Sequence, residues 1–368
     1  MPLFDKVDNS LLEKITIVIP TYKRYLYLFR LLKFYESYDL PLRILILDST
    51  PEQTLNYELS KMLSNPNITW KRYDPKIFYV DKIAQGSELI NTEYSFLCSD
   101  DDFIIPTAIN QCVFFLKNNP DYSSVHGFYF HHTNSERANN QQFTLGPLYH
   151  MGHSVIEETA SERINAYLSG QSVYHPLFAI HKAKIFRYIW SESAKYVSDW
   201  GLAEVFPNCL SFVYGKMKVL PIFYASREPN DYCEFDVERF KEMYTKEKIG
   251  KAIEGVGKHL AKVDGLSIGE AESIVKMEFD KFLKIFNIKM KRQNAKQINN
   301  IKDSLFIKLR QKVRLRSRIR VLFFQGCHHS IYTDYLSDYK QVRSSVMSAG
   351  LTFDDLNECR KDTSEFGT

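Results

Sequence analysis

Three consecutive carboxylates, Asp100, Asp101 and Asp102, follow the apolar run YSFLCS (94–99) without a spacer. Adjacent like charges repel, most strongly where water is scarce. An open turn tolerates them at small cost. A site exploits them when a cation, or a ligand bridged by one, fills the gap. Asp100 and Asp102 flank a single residue, so this stretch can offer a divalent cation one or two oxygens and leave its other positions open. Mn²⁺ and Mg²⁺ prefer oxygen ligands and commonly share the phosphates of a substrate. The chemistry served would be neutralisation of a diphosphate leaving group.

The elements upstream decide between a solvated acidic turn and a site. ITIVIP (15–20), LRILILD (42–48), ITWKRY (68–73) and YSFLCS (94–99) read as strands, short and rich in β-branched or aromatic residues. YLYLFRLLKFYESY (25–38) and FYVDKIAQGSELINT (78–92) read as helices, the second weakened by Gly86. Pro51-Glu52 can open a further helix between them. This alternation predicts an α/β fold with a mainly parallel sheet flanked by helices. In such sheets ligands bind beyond the carboxyl ends of the strands. Three polar clusters fall there: Thr21-Tyr22-Lys23-Arg24, Asp48-Ser49-Thr50 and the acidic triplet.

ITIVIPTYKR, LILDST and FLCSDDDFIIP, in that order, resemble the strand ends of a nucleotide-sugar glycosyltransferase of the GT-A (Rossmann-like) fold, with the nearest likeness to the inverting family 2 type. The resemblance covers roughly residues 14 to 230. It implies a metal-dependent transfer of sugar from a nucleoside-diphosphate sugar to a hydroxyl of a glycan or lipid-linked acceptor, with inversion, in surface polysaccharide synthesis. It puts Thr21 and Arg24 in the nucleotide pocket, Asp48 at the base or ribose, and Lys82 at the base or phosphate. Asp100 and Asp101 would face the ribose or sugar, and Asp102, with Asp100, the Mn²⁺ or Mg²⁺ ion. Where the family often reads D-x-D-D, Cys98 stands in the first Asp position, so the weight falls on Asp100 to Asp102. Read by themselves, Asp48 also suits a turn or cap and Lys82 a solvated helix charge.

Inverting transfer needs a base to take the acceptor's proton. YVSDWGLAEVF (196–206) resembles the family segment that supplies it, with Asp199 as the candidate and Glu204 as the second choice. Asp199 also has the position of a helix N-cap. Trp200 beside it suits either a sugar face or the core. Arg227, in SREPN (226–230), can reach a diphosphate. His131, His132, His150, His153, His175 and His181 show no zinc-ligand spacing, and the adjacent Cys327, His328 and His329 do not suit one metal.

Further along, 106–120 reads as a helix bounded by prolines and 123–130 as a strand. The polar stretch 131–154 reads as a long loop or lid, and 214–225 as a strand broken by Pro221. Beyond about residue 236 the sequence becomes charged and helical, and Ser267 with Glu270 forms a capping-box pattern. The expected division is a glycosyltransferase domain over 1–235 and a helical, basic region over 236–368.

The 368 residues carry a net charge of +4, but 280–320 holds fourteen Lys or Arg against two Asp, which leaves −8 for the remainder. Lys308 to Arg320 alternates cations with other residues, and as an amphipathic helix it would suit an anionic membrane surface. No nucleic-acid module is visible. Six scattered cysteines, with Cys98, Cys112 and Cys209 in apolar surroundings, and no apolar run of membrane-spanning length point to the cytoplasm. The start of the chain lacks the pattern of a secretory signal. The competing expectations are a nucleotide binder of the same fold without turnover, and a membrane-associated scaffold led by the basic segment.

Overall fold

The computed structural model describes residues 8–52, 55–137, 140–147, 153–169, 176–228, 244–304, 338 and 340–344. A short helix α1 (Asn9–Leu12) leads into β1 (Ile15–Thr21), α2 (Tyr25–Glu36), β2 (Arg43–Asp48), α3 (Tyr57–Leu63), β3 (Ile68–Arg72), α4 (Tyr79–Ser87) and β4 (Tyr94–Leu97). β5 (Phe103–Ile104), α5 (Pro106–Asn118), β6 (Tyr122–Arg137), β7 (Asn140–Pro147) and α6 (Ala160–Leu168) follow. Then come β8 (Ile180–Lys182), α7 (Ala183–Tyr196), α8 (Val205–Val213), β9 (Lys216–Arg227), α9 (Lys246–Asp264) and α10 (Ile268–Ser304).

The strands form one sheet in the order β3-β2-β1-β4-β8-β6-β9-β5, with β7 added to β6. The first four run parallel, as the strand–helix alternation predicts. Beyond β4 the sheet is mixed: β8 is antiparallel to β4 and β6, while β6 and β9 are parallel. The α/β architecture with flanking helices is therefore as read from the sequence. β1 and β2 are buried along almost their whole length, because helices cover both faces. Tyr27, Leu28, Leu31, Leu32, Phe34 and Tyr35 give α2 its inward stripe. Gly86 in α4 is a packing requirement: a Cβ there would stand 2.4 Å from a methyl of Leu47 on β2.

Three local readings need correction. Residues 131–154 are not a loop throughout: β6 and β7 form an antiparallel hairpin, from Phe130 opposite Pro147 to Arg137 opposite Asn140. Ladder bonds are main-chain bonds, so a polar run without apolar alternation can still pair. Pro221 does not end β9. It lies exposed where the β6–β9 register slips, between His126 opposite Val219 and Phe128 opposite Phe223. A proline is tolerated at such a bulge. Gly127 opposite lets that backbone approach, since a Cβ would meet the Ile222 carbonyl at 2.7 Å. Nor does Pro51 open α3: the helix starts at Tyr57, where the Asn56 side chain accepts from the Leu59 N–H at 2.7 Å.

The C-terminal helices dock on the core. Asp264, closing α9, accepts from the N–H groups of Ala160 and Ser161 and so caps α6. Asn165 of α6 donates to Glu278 of α10 at 2.9 Å. Ser267 and Glu270 make the expected capping box. Much further on, Asp338 accepts from Tyr38 (2.9 Å) and Thr107 (2.7 Å), and Val342 is buried beside it. The boundary expected near 235 and the basic stretch Lys308–Arg320 lie outside the described residues, as do Cys327, His328 and His329. Among the described residues no helix is long and apolar enough to cross a membrane.

Candidate active site

Strand order reverses at β1: β2 and β3 lie to one side and β4 to the other. A crevice at such a switch point is the usual ligand site of an open α/β sheet. The sequence clusters meet there. Thr21, ending β1, donates its hydroxyl to Asp100 Oδ2 at 2.8 Å. Arg24, opening α2, reaches Asp100 Oδ1 at 3.1 Å and Asp101 Oδ2 at 2.7 Å. Lys23 between them has φ 51°, a left-handed conformation that costs a non-glycine residue about 1 kcal/mol. Its N–H is held by Thr50 Oγ1 at 2.8 Å, so the second cluster fixes the first.

The acidic triplet is not solvated: Asp100, Asp101 and Asp102 are all buried, at 2–3% exposure. The turn is closed by the Asp102 N–H on the Ser99 carbonyl. Cys98 is buried beneath it and points its thiol at the Ser99 and Asp102 carbonyls. Burial pushes that thiol up, so it stays neutral. Burial also raises Asp100 to about 6, against the pull of Arg24 and Thr21. At Asp101 burial opposes ionisation, but Arg24 and the Ser99 hydroxyl outweigh it and hold the carboxyl below its usual range. Asp102 is pushed up to about 7 by burial, only partly offset by Arg227, whose Nε lies 2.8 Å from Oδ2.

These contacts distinguish the carboxylates of the triplet. Asp100 spends one oxygen on Thr21 and the other on Arg24. Asp102 Oδ1 is buried with no hydrogen-bond partner among the described residues. An orphaned carboxylate oxygen loses its hydration without return, and a cation would satisfy it. Among the described residues no group of three or more His, Cys, Asp or Glu could hold a metal. The donor set thus suits an ion that takes a single protein carboxylate and completes its shell with phosphate oxygens and water, as Mg²⁺ and Mn²⁺ do.

Asp48 is fully buried and committed. Oδ1 accepts from the Thr50 N–H, and Oδ2 from Tyr25 (2.8 Å) and Trp70 Nε1 (3.1 Å), with Arg72 at 3.5 Å. Arg72 also donates to the Thr50 carbonyl. Asp48 is therefore the hub of a polar wall made by Tyr25, Trp70 and Arg72, none of which the sequence reading singled out. Lys82 is no solvated helix charge. It is buried, and its Nζ donates to the Thr21 carbonyl (3.0 Å) and Ser49 Oγ (2.8 Å). Burial lowers it to about 8, with Asp48 and Asp100 opposing.

Behind the triplet stands Arg30, also unflagged. It donates to the Asp101 carbonyl at 3.1 Å and pairs with Glu228 at 2.8 Å. Its signal is an arginine inside the otherwise apolar stretch Leu26–Leu32 of a helix.

Asp199 and Glu204 bracket the turn between α7 and α8. Asp199 is not a helix N-cap: Oδ1 accepts from the Gly201 N–H at 2.8 Å, Oδ2 lies 3.5 Å from Lys248, and α8 starts only at Val205. Glu204 is exposed, and protein atoms packed around it partly desolvate its carboxyl. This raises its pKa above the usual carboxylate value, against the charge of Arg227. His132 bonds Ser226 and His181 bonds Ser211, while His150 and His175 lie outside the described residues.

No family model matches the chain, and no curated protein matches it. Solved structures do. The crystal structure of S. aureus TarS 1–349 in complex with UDP-GlcNAc shares 13% identity over 91% of this chain and 92% of that one, with a TM-score of 0.50. S. aureus TarS 1–349 without that ligand gives 13% identity, 92% and 93% coverage and a TM-score of 0.47. The longer S. aureus TarS gives 14%, 90% and 55%, with 0.46. At this identity the first of these likenesses shows a shared fold.

Proposed function

We propose that this chain is a metal-dependent glycosyltransferase that moves a sugar from a nucleoside-diphosphate sugar to a hydroxyl of a glycan or lipid-linked acceptor, with inversion, in cell-surface glycan synthesis. The observation that carries this reading is the buried acidic turn at the switch point, flanked by Arg24 and Arg227 and leaving Asp102 Oδ1 unpaired. The fold shared with S. aureus TarS supports it, and the UDP-GlcNAc in that complex makes UDP-GlcNAc the first donor to test.

The wall of Tyr25, Asp48, Trp70 and Arg72 takes the nucleobase and ribose. Arg227 and Arg24 approach the diphosphate, since guanidinium groups suit phosphate oxygens. Asp102 would hold Mn²⁺ or Mg²⁺, and that ion would add positive charge beside the leaving diphosphate. Lys82 fixes the ends of β1 and β2 by its bonds to Thr21 and Ser49. The acceptor hydroxyl attacks the anomeric carbon while the bond to the diphosphate breaks. Its proton goes to a carboxylate of the 199–204 turn. We assign that role to Glu204 ahead of Asp199, because a raised carboxyl is the better base near neutrality and Asp199 is bonded to Gly201.

The test is UDP release from UDP-GlcNAc by the full chain with Mn²⁺. Release that disappears in Asp102→Ala is expected. Release unaffected by Asp102→Ala would contradict the reading.

A further inference from the structure

The chain has three tryptophans. Trp190 is in the core and Trp70 is bonded to Asp48, but Trp200 is 48% exposed. It is nevertheless rigidly mounted. Phe78 meets the indole edge-on at 5.5 Å, and Tyr79 lies against it at 5.3 Å with 35° between the planes. Tyr79 in turn packs on Trp190 at 6.1 Å. The indole thus caps a column of aromatic rings that runs into the core. Two rings brace the indole, and about half of the residue is offered to solvent.

Its surroundings are specific. Trp200 lies within the turn bracketed by Asp199 and Glu204, and the Asp199–Gly201 bond fixes the start of that turn. Burial raises the Tyr79 hydroxyl, with smaller effects from the charges of Glu204, Arg227 and Asp100. Lys82, four residues from Phe78, places the same helix against the end of β1.

We propose that Trp200 is the floor of a carbohydrate subsite that seats a pyranose ring of the acceptor, with its hydroxyls toward Asp199 and Glu204. A sugar ring presents C–H groups on a face and hydroxyls at its edge. It therefore suits an aromatic plane with hydrogen-bond acceptors nearby; Trp200 supplies the plane, and Asp199 and Glu204 are carboxylates of the same turn. A nucleobase would also stack, but Asp48 with Tyr25, Trp70 and Arg72 forms a separate wall at β2 and β3. Fixing the ring in advance removes the cost of ordering it on binding. The subsite is called an acceptor site on the strength of the glycosyltransferase reading; as a carbohydrate site it stands on Trp200 alone.

The experiment applies the full chain to an array of immobilised oligosaccharides, then titrates the best-retained free oligosaccharide, for wild type, Trp200→Ala and Trp200→Phe. The same preparations are titrated with UDP and Mn²⁺. Wild type should retain a subset of oligosaccharides, Trp200→Ala should lose at least about 10-fold in affinity, and Trp200→Phe should fall between. Equal oligosaccharide binding by Trp200→Ala overturns the proposal. So does a wild type that binds UDP and retains no oligosaccharide. Trp200-dependent oligosaccharide binding without UDP binding upholds the subsite and removes the glycosyltransferase reading instead.

Discussion

Arg227 and Asp102 join the end of β9 to the acidic turn through a 2.8 Å contact, and that contact leaves the other oxygen of Asp102 unpaired. One arginine thus orients the carboxylate proposed to meet the cation, and is itself proposed to reach the diphosphate. A charge-assisted hydrogen bond of this kind is worth about 1.5–3 kcal/mol. Arg227→Met should therefore weaken nucleoside-diphosphate binding by about 10- to 100-fold in a calorimetric titration. Lysine should restore it only in part, because its ammonium lacks the planar fork. Unchanged affinity in Arg227→Met would remove Arg227 from the site.

The two carboxylates of the 199–204 turn are separable by kinetics. A positioned base contributes about 10²- to 10⁴-fold. Glu204→Gln should lower kcat by at least that lower bound, while Asp199→Asn should cost less than about 10-fold. The reverse ranking would return the base to Asp199.

Two buried histidines make the fold sensitive to acid. Burial lowers both His126 and His181 to about 4. His181 donates from Nδ1 to the Ala179 carbonyl and accepts from Ser211 at Nε2, so the neutral ring is fully used. At these two rings the folded state holds fewer protons than the unfolded chain between about pH 4 and 6.5, so their contribution to stability falls as pH falls through that window, while Asp100 and Asp102, raised to about 6 and 7, contribute in the opposite direction. Each histidine contributes on the order of 3 kcal/mol to that loss. Urea unfolding of wild type and His181→Gln at pH 7 and pH 5 isolates the His181 part of it. His181→Gln should be less stable than wild type at pH 7 but lose less on acidification. An equal loss in both proteins would rule out His181 as a source.

Gly86→Ala should destabilise the protein by about 1–3 kcal/mol, because the added methyl must displace the buried Leu47. A neutral or stabilising effect in thermal unfolding would show that β2 and α4 can separate.

The sequence was most informative where one short run decides one element. The apolar runs at 15–20, 42–48 and 94–99 are buried parallel strands, and their polar ends converge as expected. Gly86 looked like a weakness in a helix pattern, yet it marks where that helix meets a strand. The hairpin of β6 and β7 was illegible because main-chain pairing leaves no mark in a polar run. Tyr25, Trp70 and Arg72 were missed for a different reason. Each is unremarkable in its own element and acquires meaning only through Asp48, which parallel pairing sets beside β3. Arg30 was legible in principle, as a charge amid apolar neighbours. The sequence ranked Asp199 ahead of Glu204, and it could not see what each carboxyl touches, which favours the reverse order.

The most direct test of the central claim is a calorimetric titration of wild type and Asp102→Ala with UDP, GDP, TDP and CDP, each with and without Mn²⁺. One nucleotide should bind wild type, bind more tightly with Mn²⁺, and lose that dependence in Asp102→Ala. Binding with the same Mn²⁺ dependence in both proteins, or no binding of any nucleotide by wild type, would contradict the account.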